Sequence, residues 1–200
     1  MKRNKITVIA CIAVRLNSTR LERKALADIC GKPLLLRLID RLRFSKTIDR
    51  IVICTSTDQN DAILFELAEE WGVDAIAGSE KDVLSRFILA AEQFQADLVI
   101  RVTGDNVLTD PVTIDRMVRH QIMTNAEYIR TNGLPLGITA EVMSSSMLAR
   151  LHSLMPNPNQ SEYMMLYAFD PDKFHCEVFE APPEINRPYY SLTLLSLIHI

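Results

Sequence analysis

The feature that most constrains the fold is an exchange between two periodicities over the first half of the chain. Continuous apolar runs at 6–14, 50–55, 73–77 and 97–102 alternate with stretches at 34–43, 59–71 and 82–94 whose apolar residues recur every three or four positions. A continuous apolar run too short for a helix is what a strand buried on both faces requires. The intervening stretches carry helical stripes, Leu35, Leu38, Ile39 and Leu42 in the first and Val83, Phe87, Ala90, Ala91 and Phe94 in the third. Pro33 opens the first helix, where a missing N–H costs nothing. Thr57-Asp58 caps the second and Gly72 ends it. The alternation predicts a three-layer α/β fold, a mostly parallel sheet with helices on both faces. Ligands in such sheets collect beyond the carboxyl ends of the strands. The loop after the first run, the 54–58 turn and the 103–110 turn all fall at that edge, around one crevice.

The second half is less regular. Pro111 starts a helix carrying Ile114, Val118 and Ile122. A strand is expected over 126–131, a turn over 134–137 and an edge strand over 140–142. Ser145 is expected to cap a helix over 147–154, followed by a helix over 161–168, a strand over 173–180 and a last strand over 190–194. One domain over 1–194 accommodates all of this.

Composition removes several function classes. With 48% hydrophobic and 24% charged residues the chain is not disordered. A formal net charge of −3 does not suit a general nucleic-acid binder. The four cysteines, Cys11, Cys30, Cys54 and Cys176, form no C-x-x-C pair; they predict free thiols and a reducing cytoplasm. Lys2, Arg3 and Lys5 precede an apolar run, but Arg15 ends it early and no small-residue cleavage site follows. No run is long enough to span a bilayer. G-x-G-x-x-G, Walker and G-x-S-x-G motifs are missing, and the four histidines lack metal-ligand spacing.

The chemistry sits in the polar loops. After the first run come Arg15-Leu16-Asn17-Ser18-Thr19-Arg20-Leu21-Glu22-Arg23-Lys24 and then Gly31-Lys32-Pro33. Basic side chains and free amides after a first strand are what a triphosphate needs, although a solvated surface loop would carry the same charges. Asp105, after Gly104 and just past a buried run, is placed either to bind Mg²⁺ or to bond its own backbone in a turn. Ser79 and Arg86 flank a helix start. Each is a candidate nucleotide contact, with a cap at Ser79 or Asp82 and a surface role for Arg86 as the alternatives.

The order of these residues resembles the sugar-acid cytidylyltransferases, which include the 3-deoxy-manno-octulosonate and acylneuraminate enzymes. The resemblance is strongest to the spore-coat polysaccharide biosynthesis branch. Arg15 to Lys24 matches R-x-x-S-T-R-L-P-G-K, with Glu22-Arg23 in place of Pro-Gly. Arg101 to Pro111 matches R-I-T-G-D-C-P-L-I-D-P, and Gly78 to Phe87 matches G-S-x-x-D-V-L-x-R-[FY]. Gly137 to Val142 is similar to G-x-D-x-E-V with Thr139 for Asp, and Ser161-Glu162-Tyr163 resembles a further patch with Tyr163 for His.

The resemblance implies a nucleotide-diphospho-sugar transferase-like fold and transfer of CMP from CTP to a sugar acid with release of pyrophosphate. It implies phosphate-binding roles for Arg15 and Lys24, amides of Leu16, Asn17, Ser18 and Thr19 around the phosphates, contacts from Ser79 and Arg86, and Mg²⁺ on Asp105. Glu141 would face the acceptor sugar or pair with a basic residue. A homodimer is also implied. After Leu194 the family's D-T-P-E-D, with its second metal carboxylate, is replaced by Leu195-Ser196-Leu197-Ile198-His199-Ile200. That hexapeptide matches one reading frame of a sequencing-library transposon end, so 195–200 is expected to be a non-native tail. Two other readings stand beside the enzyme: a non-catalytic nucleotide-binding domain, and a nucleotidylyltransferase acting on a sugar phosphate.

Overall fold

The computed structural model describes residues 5–17 and 23–193, the side chains of Gln160, Glu162, Tyr163 and Met165 excepted. Its strands in chain order are β1 (Val8–Ala13), β2 (Asp28–Ile29), β3 (Lys32–Pro33), β4 (Arg50–Ser56), β5 (Asp74–Gly78), β6 (Leu98–Thr103), β7 (Tyr128–Asn132), β8 (Glu141–Ser144) and β9 (Cys176–Glu180). The helices are α1 (Leu34–Leu42), α2 (Ile63–Glu70), α3 (Val83–Gln93), α4 (Pro111–Thr124), α5 (Ser145–Leu154) and α6 (Met165–Ala168). Seven strands form one sheet in the order β5-β4-β1-β6-β8-β7-β9, while β2 and β3 make a separate two-stranded ribbon.

β1 lies parallel to both β4 and β6, so no edge of it meets water. Its residues alternate between two cores. Ala10 and Ile12 join Ile53, Ile100 and the stripes of α1 and α4, whereas Ile9 and Cys11 join Val52, Cys54, Val99 and the inner faces of α3 and α5. Burial on both faces is why these runs are apolar throughout instead of alternating. In α1 the buried residues are Leu34, Leu35, Leu38, Ile39 and Leu42. Each such side chain removed from water contributes about 1.5–3 kcal/mol before entropy is counted.

The first half matches expectation with small adjustments. Pro33 is the residue before α1 and not its first, with φ −54 and ψ 141. The helix expected over 59–71 is a 3₁₀ turn (Gln59–Asp61) followed by α2. Asp58 does cap, accepting from the Asn60 amide.

The second half needs larger corrections. The segment expected at an edge, 140–142, becomes β8 in the sheet interior, antiparallel to both β6 and β7. The edge strand is β9. Ser144, not Ser145, caps α5 by accepting from the Met147 amide. The helix expected over 161–168 is a 3₁₀ stretch (Pro158–Tyr163) leading into α6. The last expected strand, 190–194, is reduced to one bridge between Leu136 and Ser191; Leu194 and the tail 195–200 lie outside the described residues.

One buried acid fastens the loop between α1 and β4. Asp115, on α4, accepts from the Ser45 and Thr47 hydroxyls and from the Lys46 and Thr47 amides. Burial alone would raise its pKa, but these hydrogen bonds outweigh it and hold the carboxyl below its usual value. A depressed native pKa adds stability that is fully present above the unfolded value near 4 and lost as pH falls through the native one. Asp115→Asn should therefore cost about 1–3 kcal/mol at pH 7, and less at pH 3, in denaturant melts at the two pH values.

Candidate active site

The site forms where β1, β4 and β6 end side by side. The Val14 amide donates to the Cys54 carbonyl (3.3 Å), and the Gly104 amide to the Ala13 carbonyl (3.0 Å). A side chain at Gly104 would be tight: a Cβ there would lie 3.1 Å from the Val14 Cβ, so Val14 would have to give way. The two loops leaving β1 and β6 can press together because that residue is glycine.

The Arg15 loop is pinned from below by Asp61, which is 1% exposed. Its carboxylate accepts from the Leu16 amide (2.7 Å), the Ser56 amide (3.2 Å) and the Ser56 hydroxyl. The Asn17 side-chain amide donates to Asp58 (3.0 Å). The Arg23 amide returns to the Leu16 carbonyl (3.0 Å) and closes the loop's neck. Arg23 takes a left-handed conformation, φ 51 and ψ 29. Its sequence position is the one where the resembling motif carries glycine, the residue that adopts this conformation without steric cost.

Leu16 needs correction as a phosphate-cradling residue. Its amide is committed to Asp61 and its side chain lies in the core. Ser18 and Thr19 fall outside the described residues. Asn17 remains exposed at the rim.

Lys24 and Asp105 meet between the loops that follow β1 and β6. The Lys24 Nζ stands 3.0 Å from Asp105 Oδ2, with side chains 17% and 26% exposed. Lys24 opens a 3₁₀ helix (Lys24–Leu26), and the chain then passes to α1, where the Leu34 amide donates to the Ala27 carbonyl. Asp105 sits in a turn closed by the Asn106 amide on the Thr103 carbonyl and by the Thr109 amide on the Asn106 carbonyl. Arg15 is exposed at the end of β1, with its Nη1 3.5 Å from Glu80.

Arg86 is a buried cation, 2% exposed. Its Nη1 donates to the Cys54 carbonyl (2.9 Å), and its Nε has no hydrogen-bond partner. Burial pushes its pKa below the ordinary arginine value, the charge of Arg15 pushes the same way, and Asp61 and Asp82 pull it back. A solvated surface role is therefore excluded. Ser79 is exposed beyond β5, and its hydroxyl accepts from the Asp82 amide (3.1 Å).

Asp82 is the cap of α3, accepting from the Ser85 amide (3.0 Å). It also accepts from the Ser161 hydroxyl (2.8 Å) and faces His152 Nε2 at 2.6 Å. These bonds outweigh the upward push of burial and hold its carboxyl below the usual range. Glu141 pairs with Arg101 at 2.7 Å, which resolves its alternatives in favour of a basic partner. Burial and the nearby Glu141 push the Tyr128 hydroxyl well above its ordinary pKa.

The structure thus gathers Arg15, Asn17, Lys24 and Asp105 at one edge of the sheet, with Arg86 anchored beneath and Ser79 two strands away beyond β5. Asp61 was missed. In sequence it reads as one more polar residue at a helix start, and only the fold aims it under the loop.

Among the described residues no cluster of three or more His, Cys, Asp or Glu side chains could hold a metal by itself. A single carboxylate with substrate oxygens and water still suits a hard divalent ion, so Asp105 fits such a group. Among the described residues no helix is long and apolar enough to cross a membrane.

Residues 9–174 match the family model described as cytidylyltransferase. The chain is 32% identical over 193 residues to the spore coat polysaccharide biosynthesis protein SpsF of Bacillus subtilis, covering 94% of this chain and 80% of that one. It is 38% identical over 111 residues to the 3-deoxy-manno-octulosonate cytidylyltransferase of Chlorobium phaeobacteroides, covering 54% and 43%. A solved cytidylyltransferase structure from Leptospira borgpetersenii superposes with a TM-score of 0.85 at 29% identity, over 94% of this chain and 81% of that one. The mostly parallel sheet, the paired loops at its carboxyl edge and these similarities lead to one conclusion: the chain belongs to the cytidylyltransferase family.

Proposed function

We propose that this chain transfers CMP from CTP to a hydroxyl of a sugar acid, releasing pyrophosphate, in the making of a surface polysaccharide or glycan. The observation that carries the reading is the Lys24–Asp105 pair, a cation and an acid from opposite rims held 3.0 Å apart in a part-buried crevice. In this reading the attacking sugar oxygen bonds to the α-phosphorus of CTP as the bond from that phosphorus to the bridging oxygen breaks. The electron pair leaves on pyrophosphate. Such chemistry needs alignment and charge neutralisation more than a protein nucleophile.

Lys24 and Arg15 would neutralise phosphate oxygens. Buried Arg86, held on the Cys54 carbonyl, would add positive charge beneath the β4 end of the site. Asn17 and Ser79 would supply polar contacts, Ser79 from the rim beyond β5, and Ser18 and Thr19, by the resemblance of their loop, would contact the phosphates. Mg²⁺ on Asp105, when bound, supplies further charge neutralisation and orientation. A cytoplasmic homodimer belongs to the same reading.

The test is a panel of CTP, UTP, GTP and ATP with Mg²⁺ and 3-deoxy-manno-octulosonate, acylneuraminate or a sugar phosphate, read as pyrophosphate release. Release with CTP and a sugar acid is expected. CTP stabilisation in thermal shift without turnover would favour a non-catalytic nucleotide-binding domain, and turnover of UTP or GTP with a sugar phosphate would favour the other transferase class.

A further inference from the structure

We infer that Arg41 is a positioning residue for the reaction, holding the Asp105 loop in register with Lys24 from the back of the crevice; the inference rests on the cytidylyl-transfer reading. Arg41 lies in the last turn of α1 and is half-buried. Its Nε donates to the Thr109 carbonyl at 2.8 Å. Thr109 is fully buried, and its amide and hydroxyl both return to the Asn106 carbonyl, at 3.0 and 2.7 Å. Asn106 in turn donates to Thr103. The turn that carries Asp105 is therefore a small hydrogen-bonded unit, and Thr109 is its foot.

Among the described residues, two bonds tie that foot to elements distant in the chain. Arg41 holds the Thr109 carbonyl, and the next amide, Asp110, donates to the Ile138 carbonyl at 3.1 Å. The first has a functional geometry the second lacks. α1 also receives the segment that carries Lys24, through the Leu34 amide on the Ala27 carbonyl. One rigid helix thus grips the acid's loop at its end and the lysine's segment at its start. A planar guanidinium in a half-buried site fixes the direction of its bond better than a lysine ammonium could. Releasing it would let the turn drift relative to Lys24 without touching substrate. Losses of roughly 10–100-fold are typical when such a supporting contact around a reactive group is removed.

The experiment compares Arg41→Met and Arg41→Lys with Arg37→Met in the full chain. Arg37, one turn earlier on the same helix, donates to the Ile29 and Cys30 carbonyls and does not touch the Asp105 turn. Hydrogen exchange at the Asn106 and Thr109 amides should speed up in Arg41→Met and stay unchanged in Arg37→Met. In turnover, Arg41→Met should lower kcat by roughly 10–100-fold and raise the Mg²⁺ concentration needed for half activation, with KM for the sugar acid little changed. Arg41→Lys should recover part of both.

Equal exchange at those amides in Arg41→Met and unmutated chain would overturn the inference. So would a melting-temperature loss with unaltered kcat and Mg²⁺ dependence. Absence of turnover in the unmutated chain would defeat the cytidylyl-transfer reading and, with it, the catalytic part of the inference. The exchange data would still decide whether Arg41 fixes the turn.

Discussion

Lys24→Ala is expected to lower pyrophosphate release from CTP by about 10²–10³-fold, the usual cost of removing one preorganised charge from a transition state. Asp105→Asn should lose as much, since it keeps the shape and removes the charge that would hold a divalent ion. The double variant is the more telling measurement. If the two side chains act on one phosphate-metal unit, the double loss will fall well short of the product of the single losses. Because the two pair at 3.0 Å and are only partly exposed, each single variant leaves the other charge without this partner. Circular dichroism and melting curves must accompany the kinetics. Near-native folding with turnover unchanged in both single variants would remove Lys24 and Asp105 from the site.

The second large effect is at Asp61. Asp61→Ala leaves the Leu16 amide, the Ser56 amide and the Ser56 hydroxyl without an acceptor in a pocket that water barely reaches. It also withdraws a negative charge that favours the buried Arg86 guanidinium. Each stranded donor costs on the order of 1 kcal/mol or more, so a loss of about 3 kcal/mol is expected. For a chain of this length that is roughly 6–12 °C in melting temperature. The Arg15 loop should lose its shape with it, because Leu16 is the loop's fixed point: its amide is held by Asp61 and its carbonyl receives the Arg23 amide. Asp61→Asn separates the two effects. It keeps one acceptor oxygen but loses the charge, so a smaller thermal loss with weaker CTP binding is expected. A melting temperature within about 2 °C of the unmutated chain in Asp61→Ala would show that the anchor is dispensable.

The comparison of sequence with structure divides along a physical line. β1, β4 and β6 were readable because burial on both faces forces an unbroken apolar run, and few other local structures demand one. The same logic failed at β8. The 140–142 segment was expected at an edge, yet it lies in the sheet interior, where Arg101 on the neighbouring strand pairs with Glu141. That pairing spans forty residues of chain, and no local pattern announces it. The 190–193 segment failed for the opposite reason. It has strand-like residues but finds only one bridge, at Leu136.

At the proposed site, residue type and order in the sequence singled out Arg15, Lys24 and Asp105, and the fold brings their loops to one edge of the sheet. Contacts that depend on direction, Asp61 under Leu16 and Arg41 behind Thr109, carry no sequence signal, because direction is set by packing of distant elements.

The contact between Lys24 and Asp105 also bears on how this molecule would meet its ligands. In the proposed reading, a lone nucleotide would meet a lysine already paired with an acid, and a lone ion an acid already paired with a lysine. The two arriving together would offer both groups a replacement at once, so this shared contact would link ion affinity to nucleotide affinity in the manner of a coincidence detector.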